Sequence, residues 1–212
     1  FKSENSKSYI HKDLNEFFHI YKWGRYPKEI SEKTSILFDE VVSIASTLLS
    51  WVGMHIDKEV SHKLSIPLMD MIKDSESNLM RIIHYPPVSS YEHEDAVRAA
   101  EHEDINLLTI LCGSNQPGLQ AKDNDGVWHD VITRENTISI NSGDMLNLCT
   151  GGYFPSTTHR VINPSGSSNK NISRLSIPLF LHPRDDVKLN GSYTAGQYLH
   201  DRLNEIGLKK DS

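Results

Sequence analysis

The amino-acid sequence predicts a mainly β protein with flanking helices, arranged as a sandwich or jelly roll. Short segments rich in apolar and β-branched residues follow one another between residues 79 and 181. Turn signals separate them, including Asp125-Gly126, which is typical of a tight hairpin. The predicted strands cover residues 79–85, 105–112, 118–121, 127–132, 137–140, 144–149, 159–162 and 173–181.

Helices are predicted on both sides of this β region. Apolar residues recur at helical spacing across residues 35–55, which predicts one long helix with a buried stripe. The polar stretch 57–76, interrupted by Pro67, predicts two shorter helices or turns, and residues 194–206 return to helical spacing.

We expect one domain over residues 1–212, with three parts. Residues 1–78 would form a helical N-terminal part, residues 79–183 the jelly-roll core, and residues 184–212 would carry a C-terminal helix. The sequence opens on Phe1 and not on Met, so we also expect an upstream segment to be missing.

Composition narrows the classes of partner. The 212 residues include 22 Lys and Arg against 28 Asp and Glu, and a net charge of -6 gives no electrostatic reason to expect nucleic acid or an anionic membrane. Two cysteines cannot form a disulfide framework. With no apolar run of about 18 residues and no signal peptide, we expect a cytoplasmic protein that acts on a small molecule.

Three residues have the pattern of a metal site. His102 and Asp104 are two positions apart, and such residues point to the same face of an extended chain. His159, which opens a later predicted strand, would be the third ligand. Two imidazoles and one carboxylate form a facial triad with open coordination positions, typical of non-haem iron(II) oxygenases, although such a pattern can also hold zinc.

A second constellation suits a carboxylate. Arg174 and Ser176 are also two apart on a predicted strand, so a guanidinium fork and a hydroxyl would project from one face. Tyr85 could supply another hydroxyl.

Other residues are candidates for a substrate pocket. Tyr153 and Phe154 precede His159 closely and are expected to face a substrate, and Arg98 could anchor an anion. A cluster of aromatic residues with one arginine could also line a pocket, although we favour core packing and a loop. Its members are Phe17, Phe18, Tyr21, Trp23 and Arg25.

Several of these motifs occur together in one order. The runs LMRIIHYPP, RAAEHEDINLLTIL, PGLQAKDNDGVWHDV, TISINSGDMLNLCTGGYFPSTTHRVINP and SRLSIPLFLHP resemble the isopenicillin N synthase-like family of iron(II) and 2-oxoglutarate-dependent dioxygenases. The resemblance covers about residues 79–183 and implies a double-stranded β-helix, a cupin-like jelly roll. It implies that His102, Asp104 and His159 bind iron(II), and that Arg174, Ser176 and Tyr85 bind the distal carboxylate of 2-oxoglutarate.

The resemblance also implies an activity. Iron(II), 2-oxoglutarate and dioxygen would together hydroxylate or desaturate a small metabolite, with release of succinate and CO2. Three alternatives stay open. An iron oxidase of the same fold could use the Arg-x-Ser pair for a substrate carboxylate, ethylene could be formed from 2-oxoglutarate, or a non-catalytic small-molecule binding protein could have kept the fold.

Overall fold

The computed structural model describes residues 13–27, 31–88, 97–132, 136–164, 171–205 and 207. Two antiparallel sheets dominate it, which confirms the predicted jelly roll. The five-stranded sheet has, in spatial order, β1 (Glu16–Ile20), β2 (Leu79–Tyr85), β9 (Arg174–Leu181), β4 (Leu108–Ser114) and β7 (Ser139–Ser142). The four-stranded sheet has β3 (Ala99–His102), β8 (His159–Val161), β5 (Leu119–Lys122) and β6 (Trp128–Asp130). A two-stranded ribbon of β10 (Lys188–Asn190) and β11 (Tyr193–Thr194) completes the β structure of the described residues.

The five-stranded sheet has two different faces because side chains alternate along each strand. One face is apolar and packs into the main core through residues such as Met80, Ile110 and Leu179. The other face borders a cavity and carries polar residues, among them Arg81 of β2 and Arg174 of β9. This alternation places charged groups inside the protein without disturbing the core.

A long helix, α1 (Lys33–His55), covers the apolar face as predicted. Its buried residues Phe38, Val41, Ala45 and Leu49 belong to the same core cluster as the sheet. By length and composition this helix is also apolar enough to cross a membrane, a property not predicted from the sequence, and 22% of its most apolar 18-residue stretch is buried. Its contacts with β4 and β9 show a helix that packs on the sheet.

The shorter helices follow the predicted pattern. They are α2 (Lys58–Ser61), α3 (Leu68–Ile72) and α5 (Ala195–Glu205). Ile206, the last residue of the predicted C-terminal helix, lies outside the described residues.

Several elements differ from the prediction, among them β3, β10 and β11, which were not predicted as strands. The segment predicted as a strand over residues 144–149 is a helix, α4 (Asp144–Cys149). Its first backbone N–H groups find acceptors in a distant loop, since Asp144 N donates to Asp104 O (2.7 Å) and Met145 N to Ile105 O (3.2 Å). The N-terminal part, expected to be helical, contains β1, because the alternating segment EFFHI pairs with β2.

Gly143, which precedes α4, packs closely against the same loop. A Cβ atom there would lie 2.7 Å from Asn106 Oδ1, 2.8 Å from Asp104 O and still closer to Asn106 O. No real Cβ atom occupies such a position without displacing its neighbours, and Asn106 is fully buried. Only glycine therefore lets this loop and α4 approach each other.

We predict that Gly143→Ala lowers the free energy of unfolding by about 1–3 kcal/mol, because overpacking displaces the loop. Urea denaturation would measure the change. Gly53→Ala is the matched control, since Gly53 lies in α1 and its added Cβ would have its nearest neighbour at 4.0 Å. That control should be neutral or stabilising by up to about 1 kcal/mol. Equal stability of the two variants would contradict the close packing at Gly143.

Candidate metal centre and adjoining cavity

A cavity of about 790 Å³ lies between the two sheets. Its walls come from residues of both sheets, including β1, and from α5. Three groups of side chains line it: His102, Asp104 and His159; Tyr85, Arg174 and Ser176; and the aromatic residues of β1 with Arg81.

The predicted metal ligands are brought together on the four-stranded sheet. His102 ends β3 and faces His159, its register partner at the start of β8, with the ring centroids 4.3 Å apart. Asp104 lies in the loop after β3, and its Oδ1 atom is 3.7 Å from His159 Nε2 and 4.0 Å from His102 Nε2. One ligand atom from each residue lies within 4.8 Å of the other two, so all three could bind one ion.

The two imidazole rings are held in one orientation by the backbone. His102 Nδ1 lies 2.8 Å from Ala100 O, and His159 Nδ1 lies 2.9 Å from Thr157 O. A carbonyl oxygen only accepts hydrogen bonds, so each Nδ1 carries the proton and each Nε2 carries the lone pair. The nitrogens able to bind a metal are therefore those nearest Asp104.

The carboxylate of Asp104 is held equally firmly. It is 7% exposed, and its Oδ2 atom accepts hydrogen bonds from Thr109 Oγ1 (2.6 Å) and Asn141 Nδ2 (2.8 Å). Burial alone would raise its pKa, but the electrostatic influence of the neighbouring His159 and His102 side chains and these two hydrogen bonds lower it below the usual value. An ionised carboxylate with Oδ1 towards two imidazoles suits a divalent cation.

Arg174 lines the cavity from the five-stranded sheet. It is 1% exposed, it is the register partner of Tyr85, and its guanidinium carbon lies 5.2 Å from the Tyr85 ring centre. Burial lowers the pKa of Arg174, whereas Tyr85 opposes this shift. Its Nε donates to Gln116 O (3.2 Å), but its Nη1 has no hydrogen-bond partner among the described residues. Ser176, two residues further along β9, also lines the cavity.

Arg98 is buried beside Arg174 and does not line the cavity. Burial, and then the charge of Arg174, lower its pKa. Its Nη2 donates to Ile172 O (2.8 Å), and its Nε has no partner in the described structure. Two buried guanidinium groups with unpaired N–H groups are costly unless an anion is present. This end of the site therefore suits a negatively charged ligand.

Tyr153 and Phe154, predicted to face a substrate, are placed elsewhere. Neither is among the described residues that line the cavity. Tyr153 is 44% exposed and hydrogen-bonds to Asp57, and Phe154 packs against the main core. The turn after α4, with Gly151 and Gly152 at positive φ, leads the chain away before it returns to His159. Their closeness to His159 in the sequence therefore does not place Tyr153 and Phe154 at the cavity.

The aromatic cluster, interpreted above as core packing, lines the cavity instead. Phe17, His19, Tyr21 and Trp23 alternate along β1 and the residues after it, and all four border the cavity. Phe18 borders it too, whereas Arg25 is exposed and does not. His19, Arg81 and His182 also line the cavity and were not predicted from the sequence. The alternation of aromatic residues at every second position was the signal that could have identified this wall.

Comparisons with known proteins agree with this geometry. The family model of the 2OG-Fe(II) oxygenase superfamily matches residues 76–183. The chain is 30% identical to gibberellin 2-beta-dioxygenase 3 of Arabidopsis thaliana, over 81% of this chain and 53% of that protein. It is 33% identical to isopenicillin N synthase of Streptomyces microflavus, over 59% of this chain and 40% of that protein. The chain thus spans about half the length of these curated relatives or less.

Solved structures show the same likeness. A protein of Shewanella oneidensis assigned as an oxygenase superposes with a TM-score of 0.83 and 48% identity, over 93% of this chain and 72% of that chain. A protein of Neurospora crassa, in complex with alpha-KG and thymine, has a TM-score of 0.73 and 26% identity, over 91% and 65% of the two chains. The resemblance to the isopenicillin N synthase-like family is confirmed.

His182 is a further buried group at the cavity. It is 6% exposed, its backbone N–H donates to Asn78 Oδ1 (2.9 Å), and its Nδ1 lies 3.2 Å from Phe180 O. Burial lowers the pKa of His182 to about 4. The folded protein therefore keeps this ring neutral at pH values where the unfolded chain protonates it.

We predict that the metal-free protein loses stability as the pH falls from about 6.5 to about 4. Only the unfolded state binds a proton at His182 in this window, which amounts to a loss of about 3 kcal/mol. Urea unfolding as a function of pH would measure it. His182→Gln should reduce the slope without abolishing it, because burial also lowers the pKa of His19 and acts in the same direction. His129→Gln, at an exposed histidine, should keep the slope. Identical slopes in wild type and His182→Gln would contradict the lowered pKa of His182 in the folded protein.

Proposed function

Because the chain belongs to the 2OG-Fe(II) oxygenase superfamily, we propose that it is an iron(II)- and 2-oxoglutarate-dependent dioxygenase. It oxidises a small-molecule metabolite by hydroxylation or desaturation and releases succinate and CO2. One observation carries the proposal: the His102, Asp104 and His159 cluster borders the same cavity as the buried Arg174. A cytoplasmic location fits the composition, and no nucleic-acid or membrane partner is part of the proposal.

His102 Nε2, His159 Nε2 and Asp104 Oδ1 would hold the iron. Bound iron(II), with dioxygen and 2-oxoglutarate, supplies the oxidising power that breaks a substrate C–H bond. Ala100 O and Thr157 O fix the two imidazole rings before a metal arrives. This preorganisation limits the reorientation that metal binding requires.

Arg174 would bind the distal carboxylate of 2-oxoglutarate, with Ser176 and Tyr85 as further hydrogen-bond donors. The unpaired Nη1 of Arg174 supports this role, because it requires an acceptor. Arg98 adds a second positive charge behind Arg174, which favours an anion there over a neutral ligand. The alpha-KG in the related Neurospora crassa structure also supports the choice of co-substrate.

We predict that replacing His159 or Asp104 by Ala abolishes iron binding and succinate formation. Either change removes one of three ligands and leaves the other two unable to retain the ion. Metal content by elemental analysis and succinate by chromatography would measure both effects. His129→Ala, at an exposed histidine that pairs with Asp123, should keep both properties. Normal iron content in the Asp104→Ala variant would exclude this metal centre.

Succinate formation also separates the proposed dioxygenase from an oxidase of the same fold. The dioxygenase releases one succinate for each substrate oxidised, whereas the oxidase consumes the substrate without succinate. Conversion of 2-oxoglutarate to ethylene would be detected in the headspace gas of the same reactions. A screen of candidate metabolites for stimulated succinate release would then identify the oxidised substrate.

We predict that Arg174→Gln lowers the affinity for 2-oxoglutarate by about 10- to 100-fold, because hydrogen bonds to charged groups contribute about 1.5–3 kcal/mol. Arg98→Gln should weaken binding less, since this residue does not line the cavity. Anaerobic calorimetry with Mn(II) in place of iron would measure both. Arg160→Gln is the control, because Arg160 binds Gln120 and lies over Trp128 on the other sheet. Unchanged affinity in Arg174→Gln would rule out this carboxylate site.

A further inference from the structure

The cavity face of β9 ends in a histidine. Every second residue along this face lines the cavity, and the series is Arg174, Ser176, Pro178, Phe180 and His182. His182 directly follows β9 and comes eight residues after Arg174, which at about 3.3 Å per residue is about 26 Å along the chain. A five-carbon diacid bound to Arg174 does not reach His182. The histidine therefore belongs to a different part of the cavity, where a second ligand can bind.

This part of the cavity adjoins the metal ligands. Phe180, two residues before His182 on the same face, is the register partner of Thr109, and Thr109 Oγ1 donates to Asp104 Oδ2 (2.6 Å). The charge of Asp104 is also felt at His182, where it raises the pKa against the larger opposing effect of burial. A molecule held by His182 would lie beside the metal centre, on the side away from Arg174.

The imidazole ring of His182 offers one acceptor to the cavity. Its Nδ1 lies 3.2 Å from Phe180 O, so in the neutral ring Nδ1 carries the proton and Nε2 the lone pair. Nε2 has no hydrogen-bond partner among the described residues, and it is not one of their fully enclosed unpaired atoms. Because His182 lines the cavity, this lone pair is open to a ligand there.

Helix α5 closes the same end of the cavity with apolar side chains. It meets the chain just after His182, since Gly196 N donates to Asp185 O (3.0 Å). Leu199 and Leu203 of this helix line the cavity. A lone acceptor among apolar walls is selective, because a ligand without a donor would bury it unpaired.

Arg202 of α5 also lines the cavity. Its Nη1 lies 2.7 Å from Glu205 Oε2, and its Nη2 lies 3.8 Å from Asp144 Oδ2. These carboxylates offset its charge, so α5 does not by itself select an anionic substrate.

Aromatic rings form another wall at this end. Leu79, the register partner of Phe180, lies near the start of β2, and β1 ends opposite that start. Tyr21 and Trp23, which follow β1, therefore border the cavity at the same end, and their rings stack with centroids 4.8 Å apart. Trp23 Nε1 donates to Glu76 O (2.8 Å), which fixes this ring. Such faces favour a flat apolar molecule over a polar flexible one.

We propose that His182 Nε2 accepts a hydrogen bond from the substrate, and that the substrate is a flat, largely apolar molecule that carries a hydroxyl or N–H group. Its donor group would bind His182, and its body would lie against Phe180, Tyr21 and the leucines of α5. His182 would thus determine specificity for molecules with a donor, while Arg174 serves the co-substrate. This inference rests on the proposed function.

The test compares flat molecules with and without a donor. Wild-type protein, loaded anaerobically with Mn(II) and 2-oxoglutarate, is titrated by calorimetry with indole beside benzofuran and with 2-naphthol beside 2-methylnaphthalene. The members of each pair match in size, but only the first donates a hydrogen bond. At least one donor compound should bind about tenfold more tightly than its match.

Three variants locate the source of that preference. His182→Phe, which keeps a ring but removes the acceptor, should reduce the preference to about twofold or less. His182→Gln should restore part of it, because the amide oxygen accepts hydrogen bonds. His129→Phe, at an exposed histidine that does not line the cavity, should keep the full preference.

The affinity for 2-oxoglutarate provides the internal control. It should be unchanged in His182→Phe, which also shows that the variant is folded. If no donor compound is preferred over its match, or if His182→Phe keeps the preference, the substrate assignment is wrong although the proposed function stands. If wild type does not bind 2-oxoglutarate at all, the proposed function itself fails.

Discussion

The metal centre depends on backbone hydrogen bonds between the start of α4 and the loop that carries Asp104. Asp144 N and Met145 N donate to carbonyl groups of this loop, and Gly143 allows the two segments to approach. Asp104 belongs to no strand, so no sheet hydrogen bonds fix its backbone. The first N–H groups of α4 hold this loop in place of a neighbouring strand. The same hydrogen bonds satisfy N–H groups that have no acceptor within the helix. Thr109 and Asn141 then orient the carboxylate within this frame.

Sequence periodicity predicted those parts of the site that depend on one strand. Arg174 and Ser176 project into the cavity from β9 because residues two apart share a face. The pairing of His102 with His159 depends on the register of β3 with β8, which no local pattern encodes. The grouping of these histidines was inferred from chemistry, since two imidazoles and a carboxylate suit one metal ion. The structure brings the three side chains together.

The sequence could not decide features that depend on contacts distant along the chain. A six-residue apolar segment such as 144–149 fits a strand or a helix equally well, and the loop at Asp104 decides between them. The path of the turn after α4 placed Tyr153 away from the cavity although it precedes His159 by six residues. Arg98 has the charge of an anion anchor, but only the packed structure shows that it lies behind Arg174.

The two walls of the cavity carry different chemistry. The histidines belong to the four-stranded sheet, whereas Arg174 belongs to the five-stranded sheet that rests on α1. A ligand that joins the metal to Arg174 would act as a cross-brace between the two sheets. Separation of the sheets would then require its release, so the co-substrate would slow amide exchange in both walls together.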